Sequence, residues 1–284
     1  MSKVELLDGG MGSELINQGF MLPNHIWSSK ANIDAKELVY NIHKQYVNSG
    51  SHYLTTNTFR TTPRAYTKLG FDVKNATMIA KQSLENAVSI AKKASNNKCQ
   101  ILGSIAPLED CYKPQLFPGR DVGLCEFSTI GEWLFKSDID IFLVETMNSI
   151  VETKTCLDAL STFNKPKWVS YILKDNNCLL SGDTLIDAIK LLDNYNIDAL
   201  LINCTPLQRT LDAIDNISKY WNKRWGVYPN LGIGEPSPNG TINKIHTDDD
   251  YIEIIEKSIH FGATIIGGCC GTNPHHIKLL NRFI

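Results

Sequence analysis

The 284-residue chain has no long apolar run, no excess of positive charge and no low-complexity tract. Each absence removes a class of protein. No apolar segment approaches the roughly 18 residues needed to cross a bilayer, so no membrane association is expected. Lys and Arg number 28 against 30 Asp and Glu, a formal charge of -2 that offers no electrostatic footprint for nucleic acid. No linker rich in Pro, Gly or Ser and no internal repeat divides the chain, so a single domain over residues 1–284 is expected. The eight cysteines follow neither a signal peptide nor the spacing of a short secreted disulfide framework. A reducing, cytoplasmic location with free thiols is the expectation.

What is present is a core-forming composition, 43% hydrophobic, arranged as short β-branched runs alternating with longer stretches of helical period. The runs predict strands over 4–8, 52–57, 100–105, 139–145, 167–173, 199–204, 225–229 and 263–269. Helices are expected over 35–49, 73–94, 127–137, 150–160, 184–195, 207–221, 249–261 and 274–283. The second helix is the clearest, with Val73, Ala76, Ala80, Leu84, Ala87, Ala91 and Ala94 on one face. Eight strand-then-helix units match a (β/α)8 TIM barrel in number and length, with a doubly wound sheet as the rival. Asp8, Asn57, Glu145, Cys204, Asn230, Cys269 and Cys270 all fall at or just past predicted strand ends. A barrel gathers such ends into one mouth, whereas an open sheet spreads them along an edge. The barrel is therefore expected, with residues 107–125 as a loop over its mouth.

The densest chemistry is the run Gly267-Gly268-Cys269-Cys270-Gly271-Thr272. Adjacent cysteines are poor disulfide partners, and glycines let the backbone approach a site closely. Cys204 ends a second apolar run and would join them if the two runs were neighbouring strands. Three thiolates and one open position describe a catalytic zinc site better than a structural one, which usually closes with a fourth protein ligand. Cys99, Cys111, Cys125, Cys156 and Cys178 read as small packing residues. His275 and His276 follow Pro274 at an expected helix start and are not taken as metal ligands.

Six segments in order, Leu7-Asp8-Gly9-Gly10-Met11-Gly12, Thr55-Thr56-Asn57-Thr58-Phe59, Val144-Glu145-Thr146, Ile202-Asn203-Cys204-Thr205, Val227-Tyr228-Pro229-Asn230 and Gly267–Thr272, resemble the homocysteine S-methyltransferase family over nearly the whole chain. The resemblance implies a zinc-dependent (β/α)8 barrel with Cys204, Cys269 and Cys270 as zinc ligands. It implies that Glu145 receives the ammonium group of homocysteine and that Asp8 helps to fix the amino acid, with Gly9 and Gly10 letting backbone amides approach its carboxylate. An ordinary ion pair is the other reading of Glu145. A dinucleotide loop at Gly10-Met11-Gly12 is weak, because Leu15 stands where the third glycine belongs. Asn57, Tyr228 and Asn230 are expected to line the mouth or to serve as supporting turn residues. Trp27, in His25-Ile26-Trp27-Ser28-Ser29-Lys30, is similar to a family tryptophan near the active site; it would face a cationic donor or pack the loop after the first strand.

A free thiol is mostly protonated at neutral pH, and only the thiolate attacks carbon. Zinc removes that obstacle, and the resulting anionic site favours a cationic methyl donor. S-methylmethionine or S-adenosylmethionine is the favoured donor, with betaine or dimethylsulfoniopropionate as the alternative. A cobalamin route is not expected, since the resemblance assigns it to proteins with further modules. A different class remains open: a non-catalytic zinc-binding or thiol-sensing protein, for which an amino-acid pocket around Asp8 and Glu145 would have no use.

Overall fold

In a computed structural model of the protein, residues 3–233, 241–242 and 245–284 are described. Eight parallel strands make one sheet: β1 Glu5–Leu6, β2 Tyr53–Thr55, β3 Gln100–Ile105, β4 Ile141–Met147, β5 Lys167–Tyr171, β6 Ala199–Pro206, β7 Arg224–Asn230 and β8 Ile265–Ile266. Their order is β1-β8-β7-β6-β5-β4-β3-β2. The two ends then meet: the His52 N–H donates to the Leu6 carbonyl at 2.8 Å, and the Leu6 N–H to Nδ1 of the His52 ring at 3.0 Å. This closes a (β/α)8 barrel.

Strand side chains alternate between two apolar layers. Tyr53, Leu102, Ile141, Leu143, Trp168, Ala199, Leu201 and Ile265 belong to one cluster, while Leu54, Ile101, Phe142, Val144, Val169, Leu200, Ile202 and Ile266 belong to a larger one shared with the helices. Both strand faces are buried, which is why these segments read as nearly continuous apolar runs.

The helices between them are α1 Met11–Asn17, α2 Ala31–Asp34, α3 Lys36–Asn48, α4 Pro63–Thr67, α5 Val73–Ser95, α6 Arg120–Lys136, α7 Ile150–Ala159, α8 Leu185–Leu192, α9 Leu207–Tyr220, α10 Asp248–His260 and α11 Pro274–Leu280. Helix α5 shows why sequence positions it well. Asp72 accepts from the Asn75 N–H at 3.0 Å at its start, Asn96 ends it with φ +48°, and Ala76, Ala80, Leu84, Ala87, Ala91 and Ala94 are its buried stripe.

Three expectations need correction. The loop expected over 107–125 stops at Gly119, because α6 starts at Arg120. Gly123 lies inside this helix, and a Cβ at that position would sit 2.9 Å from Phe117 and Thr155, so the glycine serves helix packing. The strand expected to end at 173 ends at Tyr171, and Leu173–Lys174 pairs antiparallel with Cys178–Leu179 as a hairpin outside the barrel. Of the strand expected over 263–269 only β8 is regular; backbone bonds to Val227, Asp8 and Pro229 continue through Cys269, and the chain turns at Cys270–Gly271. Helices α1, α2 and α4 were not anticipated; each is seven residues or shorter, too short to show a clear period.

Candidate active site

The C-terminal ends of β6 and β8 bring three thiols together. The sulfurs of Cys204, Cys269 and Cys270 all lie within 4.8 Å of one another, with Cys204 to Cys270 at 3.5 Å and Cys269 to Cys270 at 4.0 Å. Bonds of about 2.3 Å to a tetrahedral metal would set sulfurs about 3.8 Å apart, so the cluster has the dimensions of a three-thiolate site. Among the described residues no fourth Cys, His, Asp or Glu completes it. Contact with the neighbouring sulfurs, and then burial, holds the Cys204 and Cys270 thiols well above their usual range. Three thiols this close cannot all ionise without a cation among them, which is the chemistry of a soft-metal site.

The backbone is bent to present these sulfurs. Cys204 itself has φ +49°, a left-handed conformation unfavourable for a side chain, and the β6 to β7 register shifts between Asn203 and Pro206. Thr146 at the end of β4 does the same, with φ +57° and a shift between Val144 and Met147. Asn203 joins the two kinks. Its Oδ1 accepts from the Thr146 N–H at 3.2 Å and from the Ser170 hydroxyl at 2.6 Å, while its Nδ2 donates to the Thr146 hydroxyl at 2.8 Å. Around the cysteine pair, the Cys269 N–H donates to the Pro229 carbonyl at 3.0 Å, the Leu231 N–H to the Cys270 carbonyl at 3.0 Å, and the Gly271 N–H to Ser13 Oγ at 2.8 Å.

Two carboxyl groups lie beside the thiols. Glu145 accepts from the Ser104 hydroxyl and, at 3.2 Å, from the Tyr228 hydroxyl. Asp8 accepts from the Thr55 N–H at 2.8 Å and the Thr55 hydroxyl at 2.9 Å. Burial pushes both carboxyls up to about 7, outweighing these bonds, and the charge of Glu145 adds to the rise at Asp8. Neither forms an ion pair with Lys, Arg or His among the described residues, so the ion-pair reading of Glu145 is not what the structure presents. Burying an ionised carboxylate is costly, and an arriving cation would offset that cost.

The other expected residues divide. Asn230 lines a cavity of about 370 Å³ with Cys204 and Tyr112, while its Oδ1 accepts from the Gly232 N–H at 2.6 Å. Asn57 does not face the mouth freely: its amide donates to the Ser28 carbonyl at 2.9 Å and Asn32 Oδ1 at 2.8 Å, and its oxygen accepts from Ser28 Oγ at 2.5 Å. It thereby anchors the turn Trp27–Lys30, where Trp27 has φ +47° and its indole Nε1 lies beside Gly12. The Gly10 N–H is already taken by Thr272 Oγ1 at 3.1 Å, and a Cβ on Gly10 would come within 2.6 Å of the Cys269 carbonyl, so this glycine serves close packing rather than offering a free amide. A Cβ on Gly9 would meet Thr272 and Tyr46 at 2.9 Å. His275 and His276 pair with Asp248 at 2.9 and 3.3 Å and are not in the thiol cluster.

Several contributors went unassigned at the level of sequence. Ser104 and Asn203 are lone polar residues inside buried strands, which was the available signal. Thr55 stood in a noted segment without a role. Tyr112, whose hydroxyl is 3.9 Å from the Cys204 sulfur, comes from the loop before α6 and carried no signal.

A family model described as homocysteine S-methyltransferase matches residues 5–284. Homocysteine S-methyltransferase YbgG of Bacillus subtilis is 28% identical over 297 residues, covering 96% of this chain and 92% of the relative. Homocysteine S-methyltransferase 2 of Arabidopsis thaliana is 25% identical over 309 residues, 98% and 92% of the two chains. The metallated form of the homocysteine methyltransferase MmuM from Escherichia coli has a similar structure, with a TM-score of 0.85 at 25% identity over 99% of this chain and 96% of that one. With a match that begins at the first barrel strand and runs through the last helix, this chain belongs to the homocysteine S-methyltransferase family and is an enzyme.

Proposed function

We propose that the protein transfers a methyl group from a small cationic donor to the sulfur of homocysteine, giving methionine, with zinc held by Cys204, Cys269 and Cys270. The observation that carries this reading is the three-thiol cluster together with two buried carboxyls that meet no Lys, Arg or His among the described residues. Glu145 and Asp8 hold the ammonium of the amino acid, and Ser104, Tyr228 and Thr55 fix the carboxylate oxygens that do so. Zinc would lower the pKa of the incoming thiol so that it reacts as a thiolate at neutral pH. The thiol proton leaves to solvent, a carbon–sulfur bond forms to the methyl carbon, and the bond from that carbon to the donor breaks, its electron pair returning to the donor heteroatom.

Charge selects the donor. Cysteinates and two carboxylates make the mouth negative, which favours an onium compound whose positive charge disappears as the methyl leaves. S-methylmethionine or S-adenosylmethionine is the favoured donor, and betaine or dimethylsulfoniopropionate the alternative. Trp27 is given the donor side by analogy of its segment alone. The reducing cytoplasm suits a centre built on free thiols.

Purified zinc-loaded protein should form methionine from homocysteine with at least one of these four donors. Methionine formation from methylcobalamin or methyltetrahydrofolate alone would refute the cationic-donor reading, and tight zinc without any methyl transfer would refute the catalytic one.

A further inference from the structure

The cavity that opens at Cys204 has a charged outer wall that the reaction as described does not use. Its lining runs from Cys204 and Tyr112 past Ile172, Leu173 and Leu180 to Asp175, Arg209 and Asp212. Arg209 Nε forms an ion pair with Asp175 Oδ1 at 2.8 Å, between the first turn of α9 and the hairpin outside β5. Its two Nη groups meet no hydrogen-bond or ion-pair partner among the described residues, so the guanidinium sits beside one carboxylate with a fork available for another. Helix α9 begins at the same wall, after Pro206, with no side-chain cap on its first N–H groups. Its positive end adds to the attraction for an anion there. Asp212, whose Oδ1 accepts from Gln208 at 3.0 Å, supplies the opposite charge one turn along.

Resting on the methyltransfer reading above, we infer that Arg209 is the carboxylate anchor of the methyl donor. The onium head would lie toward Cys204 and the carboxylate at the outer wall. S-methylmethionine, S-adenosylmethionine, betaine and dimethylsulfoniopropionate all carry a carboxylate as well as the cation, so one anchor serves the chemistry they share. An α-ammonium, present only in the first two, would find Asp212. In this reading homocysteine holds its ammonium on Glu145 and Asp8, and the KM of homocysteine in the Arg209 variant separates its carboxylate from the donor's.

The test compares donors that differ only in the carboxylate. Steady-state kinetics would be measured with S-methylmethionine and with (3-aminopropyl)dimethylsulfonium, and in parallel with betaine and tetramethylammonium. In the wild type the carboxylate-bearing member of the reactive pair should have the lower KM. Arg209→Met should raise the KM of that member by about 5- to 50-fold, equivalent to about 1 to 2.4 kcal/mol at 1.4 kcal/mol per tenfold. It should leave the carboxylate-free member and the KM of homocysteine within about twofold, and Arg209→Lys should recover part of the loss. Asp212→Asn should raise KM for S-methylmethionine but not for betaine or dimethylsulfoniopropionate. Equal losses with both members of a pair would show a structural role for Arg209 and overturn the inference, as would a KM change confined to homocysteine. An inactive wild type with every donor would instead defeat the methyltransfer reading, since zinc content and homocysteine binding are read separately.

Discussion

A cysteine is judged here by its neighbours. Cys204, Cys269 and Cys270 converge, whereas Cys156 is wholly buried and Cys99 donates to the Ser51 carbonyl at 2.9 Å. Replacing any of the first three by Ser removes one charged donor from a three-donor site, and zinc content by atomic absorption should fall well below one per chain. Cys99→Ser and Cys156→Ser should keep their zinc, and loss from either would contradict the assignment. Glu145 makes a prediction about pH. Its carboxyl stands at about 7 in the fold against a usual 4.5, so the folded protein binds the proton more tightly than the unfolded chain. The contribution to stability is therefore full below about pH 4.5 and is lost as the pH rises through about 7. Glu145→Gln, neutral throughout, should raise the Tm of ligand-free protein relative to wild type at pH 8 and leave little difference near pH 4. A gap that does not change with pH would show that the carboxyl is not strained by burial. The cysteines and the carboxyl were legible in the sequence because charge and sulfur are conspicuous in apolar runs. Tyr112 was not, because its place follows from a loop path that no local pattern encodes.

At the scale of the strand, legibility depended on burial from both sides. β3 appears where it was expected, a six-residue run with five buried positions. β1 and β8 have two regular residues each, although Leu7, Gly267 and Cys269 still donate to neighbouring strands beyond them. Gly226 in β7 marks the tightest approach: a Cβ there would lie 1.9 Å from the Ile265 carbonyl oxygen of β8. Gly226→Ala should separate β7 from β8 and cost several kcal/mol, on the order of the most damaging single substitutions, seen as a loss of soluble yield or a large fall in Tm. The kinked ends of β4 and β6 were not legible, since left-handed Thr146 and Cys204 look like ordinary strand residues. They persist because Asn203 spans them. Asn203→Ala should keep the barrel but weaken zinc by about 10- to 100-fold, the usual penalty for losing a group that orients a ligand; competition with a chromogenic chelator would measure it, and unchanged affinity would sink the role.

For the molecule as a whole, the barrel class was legible from counting strand-then-helix units, while the manner of its closure was not. The seam between β1 and β2 rests on the His52 and Leu6 backbone bonds, on a side-chain nitrogen in place of a ladder partner, and on Asp8 gripping Thr55. No periodicity could announce that a histidine ring would stand in for a carbonyl or amide of the strand. Zinc held as proposed would join parts of the chain 66 positions apart, Cys204 and Cys270, so chelation should lower Tm for the entire barrel as one transition and not loosen a single loop. Calorimetry with and without chelator would decide, and two separated transitions would contradict it.

Asp8 has two occupations at once, clasping the seam through Thr55 and standing as a buried carboxyl at the mouth. While its charge is unmatched, the clasp on the β1–β2 seam is under electrostatic load. An ammonium arriving at the mouth takes up that load. Substrate should then be felt as stiffness in the wall: amides of residues 52–55, which touch no ligand in this reading, should exchange with solvent more slowly once homocysteine or methionine is bound, and an unchanged exchange rate there would mean that the clasp and the pocket do not share a carboxylate in effect. The enzyme's own foodstuff would be the last stave fitted to the cask.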